Sequence, residues 1–262
     1  MATKKGKRRN TVLTILEVIF FLIFLFALFQ AGKILYDYHK GDAFYEDSQK
    51  EFLTEAADPE AEESTSRLGF KVDLRKIQGV NPDVKGWIYI PDTAVSYPLL
   101  WSKSDDTYLR HTYTKEYNVF GSIFFSHLSN PDLSDMHTLI YGHNTKNGAM
   151  FGGLKKYKEQ AYFDSHPYIY LIMGDRTYQY KIVSCFTAET SDDVYVLTFS
   201  KNTDFQRWLA EVVTKSEVDP GTVAINGMEQ VLTLSTCTSR TKTERFTVNA
   251  ILTDSWENQE AY

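Results

Sequence analysis

The 262-residue chain is long enough for one sizeable domain with attachments, and 24% charged with 15% aromatic residues is an ordinary globular balance. Its formal charge of -6 conceals an asymmetry, because residues 1–33 hold six lysines and arginines against one glutamate, which leaves the rest near -11. An acidic body argues against nucleic acid as a partner, since phosphate backbones attract basic surfaces, and two cysteines, Cys185 and Cys237, are too few for a disulfide framework.

Residues 1–10 form a basic tail containing "KKGKRRN", and residues 11–33 an apolar run whose only charge up to Gly32 is Glu17. As a helix, Thr11–Gly32 extends about 33 Å at about 1.5 Å per residue, enough for the hydrocarbon core of a bilayer. The basic cluster ahead of it puts the N-terminus in the cytoplasm and the body outside the cell. The rival is a cleaved signal peptide. The run is long for one and lacks a small-x-small cleavage site near its end, which favours an uncleaved anchor. Residues 34–67 read as a juxtamembrane helix that stops near Asp58-Pro59, followed by a flexible acidic linker. Residues 68–262 are then the folded domain.

That domain reads as mainly β. "GWIYI", "AVSYPLLW", "GSIFFS", "HTLIYGH", "YIYLIM", "TYQYKIVSCFTAE", "QVLTLSTC" and "RFTVNAIL" are rich in aromatic and β-branched residues and are separated by Gly, Pro, Asn and Asp. Eight such runs predict a closed or nearly closed barrel with peripheral helices. One helix is expected over 150–163. A second is expected over 203–216, where Phe205, Trp208, Leu209, Val212 and Val213 form one apolar stripe and Thr203 with Gln206 fits a capping box.

Side chains alternate along strands, so Thr233, Ser235 and Cys237 share one face of "VLTLSTC" and Leu232, Leu234 and Thr236 the other. If this strand pairs with "RFTVNAIL" as a hairpin, Cys237 and Arg245 emerge on the same non-core side, opening onto one groove. A nearby cation favours thiolate, the nucleophilic form of cysteine, and a guanidinium can hold a carbonyl oxygen or oxyanion. Arg240, in the loop, is the rival cation, and the residues alone leave open a chance neighbouring of thiol and surface arginine. Among six histidines, His143 ends a strand and precedes a Gly-containing loop, a typical place for a proton carrier. No HExxH, metal-like spacing or GxSxG is present, which disfavours a metal site or a nucleophile-elbow hydrolase.

"TLSTC", an arginine opening the last strand and the upstream "LIYGHNTKNGAMFGGL" together resemble the sortases, membrane-anchored cysteine transpeptidases of Gram-positive bacteria. The resemblance runs over about residues 68–255 and includes the N-terminal anchor. The helix at 203–216 and "GSIFFS" ahead of the histidine segment are similar to class B in particular. The chain departs from pilus-assembling class C enzymes, because Glu60 rather than an aromatic follows Asp58-Pro59 and the terminus "WENQEAY" is polar.

The resemblance implies an eight-stranded sortase-type β-barrel and no cofactor. It implies Cys237 as nucleophile, His143 as general acid/base and Arg245 as the oxyanion or substrate-positioning group. Ser235, Thr236 and Asn144 are the implied substrate-binding neighbours, with Ser200, Thr203 and their helix contacting the sorting motif. The implied partners are secreted proteins bearing a C-terminal sorting signal, with class B preferring Asn-Pro- or Ser-Pro-initiated pentapeptides, and a lipid-linked peptidoglycan precursor as amine acceptor. A pilin polymerase using a lysine acceptor, a purely hydrolytic cysteine peptidase and a non-enzymatic wall-binding domain are the alternatives. Cys185 is expected to be a small buried residue, unbridged to Cys237.

Overall fold

The computed structural model describes residues 3–55, 67–238, 241 and 243–258. Two compact units are present, Met1–Ala43 and Phe44–Tyr262. Helix α1, Thr3–Phe52, is continuous, and its stretch from Thr11 is long and apolar enough to cross a membrane. Its large apolar side chains from Val12 to Phe29 are exposed, which suits a lipid surrounding rather than water.

The second unit starts ahead of the expected position near Leu68. Tyr45 donates its hydroxyl to the Gly121 carbonyl, Ser48 bonds Tyr113 at 3.1 Å, and Phe52 is 1% exposed with its ring edge-on to Tyr113. The chain then forms β1 (Leu53–Glu55), which pairs with β2 (Phe70–Val72) in a small sheet that the sequence patterns did not predict. Asp58-Pro59, where the helix was expected to stop, lie outside the described residues. After β2 comes α2 (Leu74–Val80), capped by the Asp73 side chain, which accepts from the Lys76 backbone N–H at 2.9 Å.

All eight expected strands form the barrel. They are β3 (Val84–Tyr89), β4 (Ser96–Leu100), β5 (Ile123–Phe125), β6 (His137–Tyr141), β7 (Tyr168–Met173), β8 (Arg176–Glu189), β9 (Val231–Cys237) and β10 (Glu244–Glu257). They close in the order β10-β8-β7-β3-β4-β5-β6-β9, with β9 bonded back to β10. The β4–β5 and β6–β9 pairs are parallel and the others antiparallel. Register shifts between Asn249 and Ala250 and between Leu252 and Asp254 let the 14-residue strands β8 and β10 bend around the closed sheet.

The helix expected over 150–163 is instead a 3-10 helix, Leu154–Lys158, and a short α3, Gln160–Ser165. The reason lies just upstream: Met150 has φ 51°, and a Cβ on Gly152 would stand 2.2 Å from the Thr145 carbonyl oxygen. A tight turn folded back on the strand end replaces the first helical turn. The second expected helix is present as α4, Asn202–Thr214, burying Phe205, Trp208, Leu209 and Val212. Its N-cap is Lys201 with no side-chain cap bond, so the Thr203–Gln206 box is not formed.

Helix α4 decides what the outer face of β9 becomes. Phe205, Trp208, Leu209 and Val212 pack with Val194 on Phe186 and Ala188 of β8 and Val231 of β9. Both faces of β9 are therefore covered, and Val231–Thr236 are all buried while Cys237 is exposed. Thr233 and Ser235, on the non-core face that Cys237 shares, lie beneath a second layer rather than in the open. Under that layer runs a hydrogen-bonded chain. His137 Nδ1 meets the Val196 carbonyl at 2.8 Å and its Nε2 the Thr233 hydroxyl at 2.8 Å. That hydroxyl also lies 2.8 Å from Asn249 Oδ1, and Asn249 Nδ2 donates to Ser184 Oγ at 3.0 Å. His137, Thr233, Asn249 and Ser184 are each 0% exposed, and Trp208 lies over the imidazole with ring centroids 4.5 Å apart. Among the described residues no buried side-chain polar atom lacks a partner, so the network costs little to bury.

Burial lowers the His137 pKa to about 4, so the unfolded chain binds a proton there that the folded one does not. The contribution is complete above the ordinary value near pH 6.5 and is lost as pH falls toward 4. Denaturant titrations should find the wild type less stable at pH 5 than at pH 6.5 by about 2 kcal/mol from this group, at about 1.36 kcal/mol per pKa unit. His137→Gln should flatten that part of the slope; an unchanged slope would mean that His137 does not carry it.

Candidate active site

Three strand ends meet at one rim of the barrel. β6 runs parallel to β9 with Tyr141 opposite Ser235, and the ladder continues through the Gly142 N–H to the Ser235 carbonyl at 3.2 Å. Thr236 Oγ1 donates to the Gly142 carbonyl at 2.8 Å. His143 is the next residue along β6 and Cys237 the next along β9. On the other side β10 begins antiparallel, with Arg245 directly opposite Cys237. Neighbouring strands lie about 4.8 Å apart. The thiol residue is therefore flanked by the histidine's backbone on one side and the arginine's on the other.

His143 is partly buried, and its Nε2 bonds the Leu109 carbonyl. A carbonyl only accepts, so Nε2 carries the hydrogen and Nδ1 is the basic nitrogen of the neutral ring. Burial depresses the imidazolium pKa, and the charge of Arg110 adds to this; the Leu109 carbonyl opposes them. At neutral pH the ring is a neutral base.

Arg245 donates from Nη1 to the Glu244 carbonyl at 3.0 Å, which turns the guanidinium back along its own strand. Two tyrosines sense its charge. Tyr195, on a 3-10 turn at Asp193–Tyr195, bonds Ser235 Oγ at 3.1 Å. Burial raises its pKa, while the Ser235 hydroxyl and Arg245 pull it down and Asp192 and Cys237 push it up. Burial likewise pushes Tyr141 to about 12, with Arg245 opposing. Both rings stay protonated and present phenol hydroxyls near the cation.

The expected site residues separate into two groups. Cys237, His143, Arg245, Ser235, Thr236 and Asn144 gather at the rim, with Ser235 and Thr236 buried and bonded as described. Ser200 and Thr203 are exposed at the start of α4 and hydrogen-bond to none of these residues. Arg240, the alternative to Arg245, lies outside the described residues. Cys185 is buried with its Sγ donating to the Tyr157 carbonyl at 3.2 Å, and burial pushes its thiol up to about 12. Both cysteines are free.

Beside Cys237 is a cleft of about 170 Å³, lined by Asn144, Phe151, Lys155, Lys158, Phe246 and Glu244 among others, but by neither Arg245 nor His143. Sequence reasoning missed Tyr195, Leu109 and this cleft. Leu109 acts through its backbone, 34 residues from His143, and "DDVYVLTF" has no strand or helix period to mark Tyr195.

The sortase domain family matches residues 88–253. Over 219 residues the chain is 34% identical to sortase B of Listeria monocytogenes, covering 82% of this chain and 85% of that one. The crystal structure of sortase B from B. anthracis in complex with AAEK1 superposes with a TM-score of 0.71 at 27% identity, covering 84% of this chain and 99% of that one. The Staphylococcus aureus sortase B–substrate complex gives a TM-score of 0.64 at 27% identity, covering 69% and 84%. With an exposed cysteine at the barrel rim and likeness of this extent in both sequence and fold, the chain belongs to the sortase family and is a cysteine transpeptidase of the class B type.

Proposed function

We propose that the enzyme cleaves a sorting motif near the C-terminus of secreted proteins and transfers the acyl group, through a thioester on Cys237, to an amine of a lipid-linked peptidoglycan precursor. The observation that carries this reading is the common rim of β6, β9 and β10, with His143 and Arg245 on either side of one exposed thiol. The S. aureus relative solved with its substrate supports a peptide-binding role for the corresponding groove.

In the first half-reaction the thiol proton passes to His143 Nδ1 as sulfur attacks the threonine carbonyl carbon of the motif. The guanidinium of Arg245 stabilises the oxyanion. Collapse breaks the C–N bond, and the imidazolium returns its proton to the departing amine. In the second half-reaction the same imidazole takes a proton from the acceptor amine as the C–N bond forms and the C–S bond breaks. Thr236 and Asn144, which line the cleft beside Cys237, border the approach of the motif, while Ser235 supports the rim from beneath through its bond to Tyr195.

Residues 11–33 act as an uncleaved anchor with the N-terminus cytoplasmic and the catalytic domain outside. Enzyme, membrane-tethered substrate and lipid-linked acceptor then meet in two dimensions, which raises their effective concentration.

Full-length protein in detergent micelles, incubated with a fluorogenic pentapeptide library, tests this directly. Cys237→Ala should abolish both cleavage and the acyl-enzyme mass adduct; persistent cleavage would exclude the thioester route. Arg245→Lys keeps the charge but loses the planar fork, and kcat/KM should fall about 100-fold. A variant within twofold of wild type would remove Arg245 from the mechanism.

The pH profile is a separate test. With the imidazolium pKa depressed, neutral base persists below the ordinary 6.5, so the acid limb of kcat/KM should have its midpoint below pH 6.5. A midpoint above 7 would contradict the assignment of His143 as the base.

A further inference from the structure

The imidazole of His143 is oriented by a backbone carbonyl, that of Leu109. A backbone carbonyl is only as fixed as the segment that carries it. Residues 101–122, between β4 and β5, form no helix or strand of the barrel, so the direction of this carbonyl depends on ties from elsewhere. The preceding carbonyl, of Tyr108, accepts from the Ser122 N–H at 3.0 Å. The same peptide group carries the Gly121 carbonyl, which accepts from the Tyr45 hydroxyl. Gly121 itself sits against the Leu109 carbonyl oxygen: its φ is 56°, and a Cβ there would stand 2.3 Å from that oxygen.

A second path runs through the backbone of His143. The Phe151 N–H donates to the His143 carbonyl at 3.0 Å, and Met150 bridges to Asn144. The Met150 N–H donates to the Tyr97 hydroxyl at 3.1 Å, and the Tyr97 ring stands edge-on to Tyr45 with centroids 5.3 Å apart. Both paths therefore end on one side chain. Tyr45 lies in the last turns of α1, where Tyr45, Ser48 and Phe52 share a face by helical spacing and are buried. Burial keeps the phenol protonated, so its hydroxyl is a donor, and Ser122 Oγ lies 3.3 Å from it. Removing that hydroxyl would take the phenol donor from a buried peptide carbonyl and free the 121–122 peptide to turn. The Tyr108 side chain is tied separately to Asp83 at 2.6 Å, so the segment would stay in place while its carbonyls reorient.

We propose that Tyr45 is a positioning residue for His143: its hydroxyl fixes the Gly121–Ser122 peptide and, through it, the Leu109 carbonyl that keeps the imidazole hydrogen on Nε2 and Nδ1 free for the proton of Cys237. The inference rests on the reading of His143 as the base. Tyr45 touches neither substrate nor thiol in this role. It sets the tautomer and ring direction from 98 residues upstream.

The test uses full-length enzyme in detergent micelles with isotope-labelled histidine. The His143 tautomer is read by nitrogen NMR in the neutral state, and kcat and KM are measured on a cleaved pentapeptide. The wild type should hold the hydrogen on Nε2. Tyr45→Phe keeps the ring and should lose that preference, with kcat about tenfold lower and the peptide KM within about twofold of wild type. Ser48→Ala removes a neighbouring bond of α1, to the Tyr113 hydroxyl at 3.1 Å, and should change neither. Gly121→Ala presses on the Leu109 carbonyl directly and should reproduce the Tyr45→Phe signature. Wild-type tautomer and kcat in Tyr45→Phe would overturn the proposal, as would an equal loss of kcat in Ser48→Ala, which would mark simple docking of the helix. If Tyr45→Phe does not fold, an unchanged tautomer in Gly121→Ala overturns it. A shifted tautomer with kcat intact would instead overturn the reading of His143 as the base.

Discussion

The site depends on the parallel pairing of β6 with β9. Parallel strands finish at the same edge of a sheet, so Tyr141 and Cys237 reach the same rim, and residue 143 continues the ladder beside residue 237. An antiparallel partner would have carried His143 to the far end of the barrel. β10 does run antiparallel, and for the same reason its first residues begin where β9 ends, opposite Cys237. Two strand ends and one strand start are brought together by hydrogen-bond direction alone. A parallel connection needs a long crossover. Here the crossover includes β7, β8 and α4, and that passage is also what supplies the second layer over β9.

The second layer explains why a reactive cysteine stands in the open at the end of an otherwise buried strand. The barrel interior covers one face of β9, and α4 with the Asp193–Tyr195 turn covers the other. Burial ends where that cover ends. The polar chain from Val196 through His137, Thr233 and Asn249 to Ser184 ties the turn region, β6, β9, β10 and β8 together just behind the rim. Fully satisfied buried networks of this sort restrict the packing to one arrangement. The rigid ladder and its cover hold the cysteine, the base and the cation in fixed relation before any substrate arrives.

A strand end also has two accessible sides, which suits an enzyme whose nucleophile is visited in turn by two different molecules. On the Arg245 side are phenol and hydroxyl groups that can orient a carbonyl. On the other is a small cleft lined by Lys155, Lys158 and Glu244 together with Phe151 and Phe246.

Much of this was legible in the sequence because the signals are local. The eight strand patterns, the apolar stripe of α4 and the long apolar N-terminal helix follow from side-chain periodicity and length, which each segment carries by itself. The opposition of Cys237 and Arg245 also follows from two strands joined by a short loop. The sequence did not reveal that residues 44–55 pack into the body, that "MFGGLKKYKEQAYF" breaks into two short helices, or that Thr233 and Ser235 are covered. Each depends on what a distant segment brings: Gly121 and Tyr113 for Tyr45 and Ser48, Thr145 for Gly152, and α4 for β9. The residue types for the chemistry were therefore determined along the chain. Their surroundings were decided only in the tertiary structure, because burial, a backbone carbonyl 34 residues away on His143 and the closing of a cleft beside sulfur are properties of neighbours in space.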